Sequence, residues 1–111
     1  MIATVYYTGF RSLDRPTIVN KNGHPLDPRF DLRRHSPDGF NWGYCGSGPA
    51  QLALALVADV LGDDAAAQAI YQKFKSQVVA GWERDTWQIT SDEILQWVDL
   101  NVDLRAFLER N

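Results

Sequence analysis

Cysteine and histidine are scarce in this chain of 111 residues, which contains one Cys and two His. With one cysteine no disulfide can form within the chain, and we expect a protein of a reducing compartment. Cys45, His24 and His35 also do not make the closely spaced four-ligand pattern of a structural zinc site. The sequence therefore predicts no bound metal, and it predicts no other cofactor.

Long apolar runs are missing as well. The most apolar window, residues 50–61, is about a dozen residues long, whereas a membrane-spanning helix needs roughly 20. The N-terminus lacks the basic start and the apolar stretch of a signal peptide. These two absences predict a soluble, cytoplasmic protein that does not enter a membrane.

The chain has no excess of positive charge, because 14 acidic residues outnumber 11 basic ones and the formal net charge is −3. Sequence-independent DNA binding needs a positive surface and is therefore disfavoured. The charge is uneven: residues 1–45 carry six Arg or Lys against four Asp, and residues 46–111 carry five against ten Asp or Glu. We interpret this as two solvated faces, with a charged partner as the alternative.

The stretch over residues 40–56 organises the sequence. Aromatic residues alternate with small or polar ones over 40–44, and this period of two predicts a strand with one aromatic face. A turn of small residues, 45–48, follows and leads into an apolar segment. The turn thus joins a predicted strand to a predicted helix.

The predicted helix covers residues 49–61. Pro49 would be its first residue, because the fixed φ of proline suits that position, with Gly48 or Ser47 as the cap. Gly62 would end it in the left-handed conformation. A helix with so little polar surface has to be buried, so we expect the rest of the chain to pack around it.

Short sequence patterns typical of strands and turns predict the remaining elements of the N-terminal part. Strands are expected near residues 2–8, 17–20 and 24–26, and residues 12–16 read as a loop. Asn22-Gly23 is a strong hairpin signal, and Pro25 makes the third strand short or places it at an edge. For residues 27–39 an extended and a helical conformation both stay open.

The C-terminal part predicts two more helices and a short strand. The second helix would begin at a cap on Asp63 or Asp64 and end at Ala80-Gly81, and a strand would follow over 87–89. Thr90 and Glu93 form a capping box for the third helix. Its inward residues would be Ile94, Leu95, Trp97 and Val98, with a break over 101–103 before the helix resumes over 104–108.

These elements predict one α+β domain over residues 1–111. The composition, 45% hydrophobic and 23% charged, is that of an ordinary globular domain that can bury a core. A small antiparallel sheet from the N-terminal half would pack on a three-helix C-terminal half. The helix over 49–61 would lie buried at the centre.

Two overlapping candidate sites lie at the start of the first helix. Backbone N–H groups of Gly46, Ser47 and Gly48 could bind an anion, whereas the alternative is that the glycines only permit close packing. Cys45 could be a nucleophile, because a helix N-terminus favours the thiolate, but it would need His24 or His35 as a base. A buried cysteine that acts as a small apolar residue is the interpretation we favour.

Two candidates for binding a partner lie elsewhere. The basic cluster, which we define as Arg29, Arg33, Arg34 and His35, could face solvent, pair with acidic helices, or bind an acidic protein surface or a nucleic-acid backbone. Trp82 is expected to be the most exposed tryptophan and a candidate interaction hot spot.

The sequence also carries a resemblance. The run Trp42-Gly43-Tyr44 through Gly46-Ser47-Gly48-Pro49-Ala50-Gln51-Leu52-Ala53-Leu54-Ala55-Leu56 resembles the central motif of a family of small uncharacterised domains from bacterial, archaeal, plasmid and phage genomes. Residues 71–75 and 87–94 also fit, so the likeness covers residues 40–98. Glycine often stands at the position of Cys45 in that motif, which counts against a thiol mechanism. The resemblance implies a mobile-element setting and a role against or alongside host machinery.

We therefore expect a small non-catalytic interaction protein that binds a macromolecular partner, preferably a protein, through a preformed surface. Inhibition of a host defence complex, as by an anti-CRISPR type protein, is one specific form of this function. The alternative is a ligand- or anion-binding domain, or a thiol-dependent enzyme, centred on the turn over 45–48, with an arginine of the basic cluster completing the site. Nucleic-acid binding through the basic cluster is a third possibility.

Overall fold

A computed structural model describes residues 3–102 of the chain. These residues form an α+β architecture with a four-stranded antiparallel sheet and three α-helices, which confirms the predicted fold class. In chain order the elements are β1 (Tyr6–Ser12), β2 (Arg15–Lys21), β3 (His24–Pro25), α1 (Ser47–Leu61), α2 (Asp64–Gln77), a short 3-10 helix (Val79–Gly81), β4 (Thr86–Thr90) and α3 (Ser91–Asn101).

The sheet has the strand order β3-β2-β1-β4. The hairpin between β2 and β3 turns at Asn22 and Gly23 with φ of 49° and 81°, as the sequence predicted. The connection before β2 is shorter than expected, because Arg15 and Pro16 already belong to that strand. The fourth strand comes from the C-terminal half and pairs with β1, so that β1 is central.

The predicted aromatic strand over 40–44 is wrong. Gly43 has a φ of +87°, in the left-handed region, and this turns the chain out of an extended conformation. Trp42 is buried whereas Tyr44 is exposed, so the aromatic side chains do not share one face. The backbone N–H of Gly43 instead donates to the carbonyl of Val79 and ties this loop to the 3-10 helix.

The first helix is the buried centre of the fold, as predicted. All residues from 48 to 58 are buried, and Gly62 ends the helix with a φ of 64°. Its start is earlier than expected: Gly46 is the N-cap, and Pro49 lies in the first turn rather than at the first position. Proline is tolerated there because the first N–H groups of a helix have no partner within it.

The second helix begins where its cap was predicted. The Asp63 carboxylate accepts a hydrogen bond of 3.0 Å from the N–H of Ala66. The helix ends at Gln77, earlier than expected, and the 3-10 helix takes up the residues that had been assigned to its last turn.

The third helix begins at the predicted capping box. The N–H of Glu93 donates to Oγ1 of Thr90 over 3.1 Å, and the N–H of Thr90 donates to Oε1 of Glu93 over 3.0 Å. Ile94 and Val98 are buried, but Leu95 is exposed, which corrects its predicted inward position. Trp97 is partly buried and its ring meets Phe74 of α2 edge-on with ring centres 5.0 Å apart, so it faces the core as predicted. The predicted second segment, residues 104–108, lies outside the described residues.

One core joins the sheet to the helices. Tyr7 and Val19, on the inner face of the sheet, belong to the same buried cluster as residues 52–57 of α1 and Phe74 of α2. The opposite face of the sheet has no helix packed on it within residues 3–102 and is called the outer face below. No helix in this part of the chain is long and apolar enough to cross a bilayer.

Candidate interaction surface

Cys45 lies at the protein surface, so the prediction that it is buried is wrong. The turn at Gly43 carries the chain outward just before α1 begins. Within residues 3–102 no hydrogen bond joins Cys45 to a histidine: His24 lies in β3, and Nε2 of His35 lies 2.6 Å from the Tyr71 hydroxyl. The described residues also bring no three His, Cys, Asp or Glu side chains into a metal-binding group. A thiol reaction at Cys45 stays a prediction.

The glycines of the turn pack closely against the preceding loop. A Cβ on Gly46 would lie 2.5 Å from the Tyr44 ring, and one on Gly48 would lie 2.7 Å from Cβ of Asn41. Ser47 begins α1, whose first turn has no side-chain cap. This geometry supports the packing interpretation of Gly46, Ser47 and Gly48, and the anion site stays a prediction.

Two members of the basic cluster are held by neighbours. Arg29 pairs with Asp31 over 3.0 Å and with Asp64 at the start of α2 over 2.7 Å. These hydrogen bonds raise the pKa of Arg29, and the bond to Arg29 lowers the pKa of Asp31. The guanidinium of Arg34 lies 5.2 Å from the ring centre of Phe30. The expected pairing of this cluster with an acidic helix is therefore seen at Arg29.

His35 packs against α2, and its part in binding a partner stays a prediction. Its ring contacts Tyr71 and is partly buried. Burial lowers the pKa of His35, and the positive charges of Arg33 and Lys75 lower it further. The neutral imidazole is thus favoured, and His35 adds no fixed positive charge to the cluster.

Gln51 organises the whole segment that carries the basic cluster, and sequence reasoning missed it. Its side chain is fully buried in α1. The amide Nε2 donates to the carbonyls of Pro28 and Arg33 over 2.6 and 3.0 Å, and Oε1 accepts from the N–H groups of His35 and Ser36 over 2.7 and 3.3 Å. An isolated glutamine inside an apolar helix was the available signal, because a buried amide requires partners.

A second group missed from the sequence links the sheet to α1. The Tyr7 hydroxyl donates to Asp59, and Nζ of Lys21 lies 3.0 Å from the other carboxylate oxygen. Burial raises the pKa of Tyr7, and the neighbouring Asp59 raises it further. Tyr7 therefore stays protonated and is a structural hydrogen-bond donor rather than a base. A small cavity of about 240 Å³ lies beside this group.

Three indole rings, Trp42, Trp82 and Trp87, form what we call the tryptophan cluster. Trp82 stacks on Trp87 with ring centres 4.5 Å apart, and Trp42 meets Trp87 edge-on at 5.6 Å. Trp82 remains partly exposed beside this stack, and its place as the most exposed tryptophan and an interaction hot spot stays a prediction. It borders a groove of about 430 Å³, which we call the β4 groove, lined by residues 81–84 and 86–88.

Arg11 fixes the loops around the tryptophan cluster. Its guanidinium lies 4.8 Å from the Trp42 ring centre and donates to Oδ1 of Asn41 and the carbonyl of Trp42, each over 2.8 Å. Its Nε donates to Asp85 over 3.0 Å. One side chain of β1 thus positions both loops next to the β4 groove, so the groove is preformed.

The outer face of the sheet carries three exposed apolar side chains, two of them adjacent and the third farther along β1, beyond Thr8. Tyr6, Phe10 and Ile18 are 50%, 41% and 47% exposed, and Phe10 lies directly opposite Ile18 on the neighbouring strand. We call these three residues the outer patch. The other outward positions nearby are uncharged, namely Thr8, Asn20, Thr86, Gln88 and Thr90. The arrangement is suited to contact rather than to acid–base chemistry.

The fold and these surfaces define an α+β domain with one open sheet face and a preformed groove beside it. The chain belongs to a family of unknown function, DUF6166, whose pattern matches residues 7–100. No curated protein and no solved structure matches the chain.

Proposed function

We propose that this protein is a non-catalytic interaction domain that binds another protein through the outer face of its sheet. The observation that carries the proposal is the outer patch of Tyr6, Phe10 and Ile18. The open face of an antiparallel sheet is usually polar. Large apolar side chains exposed on such a face, like the adjacent Phe10 and Ile18, are typical of an interaction site.

The chemistry of the outer face favours a protein over a nucleic acid. The patch offers two aromatic rings, which are common anchors of protein interfaces, beside one β-branched side chain. Its outward neighbours on the three longer strands are Thr, Asn and Gln, which bring no positive charge to neutralise phosphates. The arginines of the basic cluster lie on another segment, and Arg29 is already paired.

A role in mobile elements is the specific form of this proposal. The resemblance to domains of plasmid and phage genomes supports that setting. A small protein in that setting can act by covering a functional surface of a host defence complex. Occlusion of this kind needs shape and apolar complementarity and no reacting group, which fits a rigid sheet with an apolar patch.

The proposal is tested with full-length protein and two variants. Partners are captured from a host lysate and identified, and the purified partner is titrated against wild type, Phe10→Ser and Leu100→Ser by calorimetry. Loss of a central aromatic anchor should weaken binding by about 2 kcal/mol, or roughly 30-fold. Leu100, 75% exposed on α3, is the matched apolar control and should bind like wild type.

Two results would count against the proposal. One is the absence of any stoichiometric partner. The other is a partner that binds Phe10→Ser as tightly as wild type while both proteins show the same thermal unfolding.

A further inference from the structure

Within residues 3–102, the edge of β4 that faces away from β1 pairs with no other strand. The pairing of β1 with β4 continues past both ends of β4. At one end the N–H of Arg11 donates to the carbonyl of Asp85 over 2.9 Å. At the other end the N–H of Ser91 donates to the carbonyl of Val5 over 2.9 Å. Because bonded positions alternate in an antiparallel pair, the backbone groups of Thr86 and Gln88 point away from β1. Within residues 3–102 no other strand lies beyond β4.

The two edges of the sheet differ in their protection. The β3 edge is only two residues long and includes Pro25, which has no N–H to donate. The next strand, β2, contains Pro16. The β4 edge has the sequence Thr-Trp-Gln-Ile-Thr, without proline or charge. Sheet edges without such protection tend to pair with another chain. One protected and one open edge in the same sheet indicate a binding role for the open one.

The space beside the open edge fits one extended chain. The β4 groove runs along residues 86–88 of the strand and is also lined by residues 81–84. A second copy of the chain would have to bring a whole sheet past residues 81–84 to reach this edge, whereas a single peptide strand needs only the groove. Its volume of about 430 Å³ lies in the range of peptide and ligand sites.

We infer that the open edge of β4 binds an extended segment of the partner protein, which lies in the β4 groove and adds a fifth strand to the sheet. The inference rests on the proposed function, because it names the part of the partner that is recognised. The N–H and carbonyl groups of Thr86 and Gln88 would bond the backbone of that segment.

The groove also indicates the side chains of the segment. Successive side chains of a strand point to opposite faces. One that faces inward would meet Trp82 and Trp87, which favours a large apolar residue. The residues before and after it in the segment would point to the outer face, next to Thr86 and Gln88. That position favours uncharged polar side chains. Glu83 and Arg84 both line the groove and carry opposite charges, so the groove does not favour a bound segment of either net charge.

The experiment selects nine-residue peptides from a phage-displayed library on the full-length protein. Synthetic copies of the selected peptides are then titrated against wild type, Gln88→Pro and Gln88→Thr. Proline at position 88 removes only an N–H that points away from β1, and edge strands tolerate such a proline. We expect alternating apolar and polar peptides whose Kd rises about tenfold with Gln88→Pro and stays within about twofold with Gln88→Thr.

Amide hydrogen exchange of wild type is the second measurement and does not depend on the folding of a variant. The N–H groups of Thr86 and Gln88 should exchange more slowly when a selected peptide is bound. The inference is overturned by peptides that leave these two exchange rates unchanged, by peptides that bind Gln88→Pro like wild type, or by a selection without binders. A wild-type dimer that Gln88→Pro converts to monomer would assign the edge to a second copy instead.

The two proposals fail in different ways. If the captured partner is lost with Phe10→Ser but retained with Gln88→Pro, the outer patch is the binding site and the strand-addition inference is wrong. If selected peptides depend on Gln88 but no partner depends on Phe10, the edge is a binding site and the proposed role of the outer patch is wrong.

Discussion

The hydroxyl of Tyr7 in β1 donates a 2.5 Å hydrogen bond to the carboxylate of Asp59 in α1. This bond joins the central strand to the central helix, and Lys21 of β2 holds the other oxygen of the same carboxylate. Three elements thus meet at one acidic side chain near the end of the buried helix.

Tyr7→Phe should therefore lower the free energy of unfolding by about 1–2 kcal/mol, because a partly buried hydrogen bond to the Asp59 carboxylate is lost while the ring stays in place. Urea denaturation measures the change. Tyr6→Phe is the matched control, since Tyr6 points to solvent from the adjacent position, and it should stay within about 0.5 kcal/mol of wild type. Equal losses for the two variants would contradict the structural role of the Tyr7 hydroxyl.

Gln51→Leu should lower the free energy of unfolding by about 2–3 kcal/mol, although it adds an apolar residue to an apolar helix. The reason is that the carbonyls of Pro28 and Arg33 and the N–H of His35 would lose their partner. Gln68→Leu on the exposed face of α2 is the control and should change little. A Gln51→Leu protein as stable as wild type would show that the segment over 28–36 does not depend on this amide.

Gly9→Ala should destabilise the protein by about 1–3 kcal/mol through overpacking. A Cβ at position 9 would lie 2.2 Å from the ring of Trp87, which is held between Trp42 and Trp82 and has little room to move. Gly81→Ala meets open space and is the control. Thermal and urea unfolding measure the stability of both variants. A Gly9→Ala protein as stable as wild type would mean that the tryptophan cluster can shift.

The stability of the protein should fall as the pH is lowered from 7 to 5. The folded state holds the pKa of His35 below its ordinary value, so in this range the unfolded chain binds more protons. Stability from His35 is fully present above the unfolded pKa of about 6.5 and is lost as the pH falls below it. In His35→Asn the dependence on pH should be weaker. Urea denaturation across this range, with the pKa of His35 from NMR, tests the expectation; an unchanged slope in the variant would contradict it.

Local signals in the sequence were enough for several elements. The Asn22-Gly23 turn and the Thr90–Glu93 capping box depend on residues close in the chain, and both form as predicted. The burial of α1 follows from its composition. Elements whose conformation is set by neighbours in sequence were therefore predictable.

Features that depend on distant residues were not predictable. Hydrogen bonds to Gln51 hold residues 28–36 in place, and the sequence does not show which backbone groups this side chain meets. The alternation over 40–44 is typical of a strand, but Gly43 turns the chain there. The indole N–H of Trp42 donates to the carbonyl of Arg84, a residue far away in the sequence. The outer patch, the β4 groove and the exposure of Cys45 require the three-dimensional arrangement.

The central place of β1 has a consequence for synthesis on the ribosome. One neighbour of β1 follows it directly, but the other, β4, begins only at Thr86. While the intervening residues emerge, β1 can form its hairpin with β2 and α1 can become helical, yet the sheet stays incomplete on that side. Such long-range closure slows folding. The nascent protein thus acquires its complete sheet only after residues 86–90 have been made.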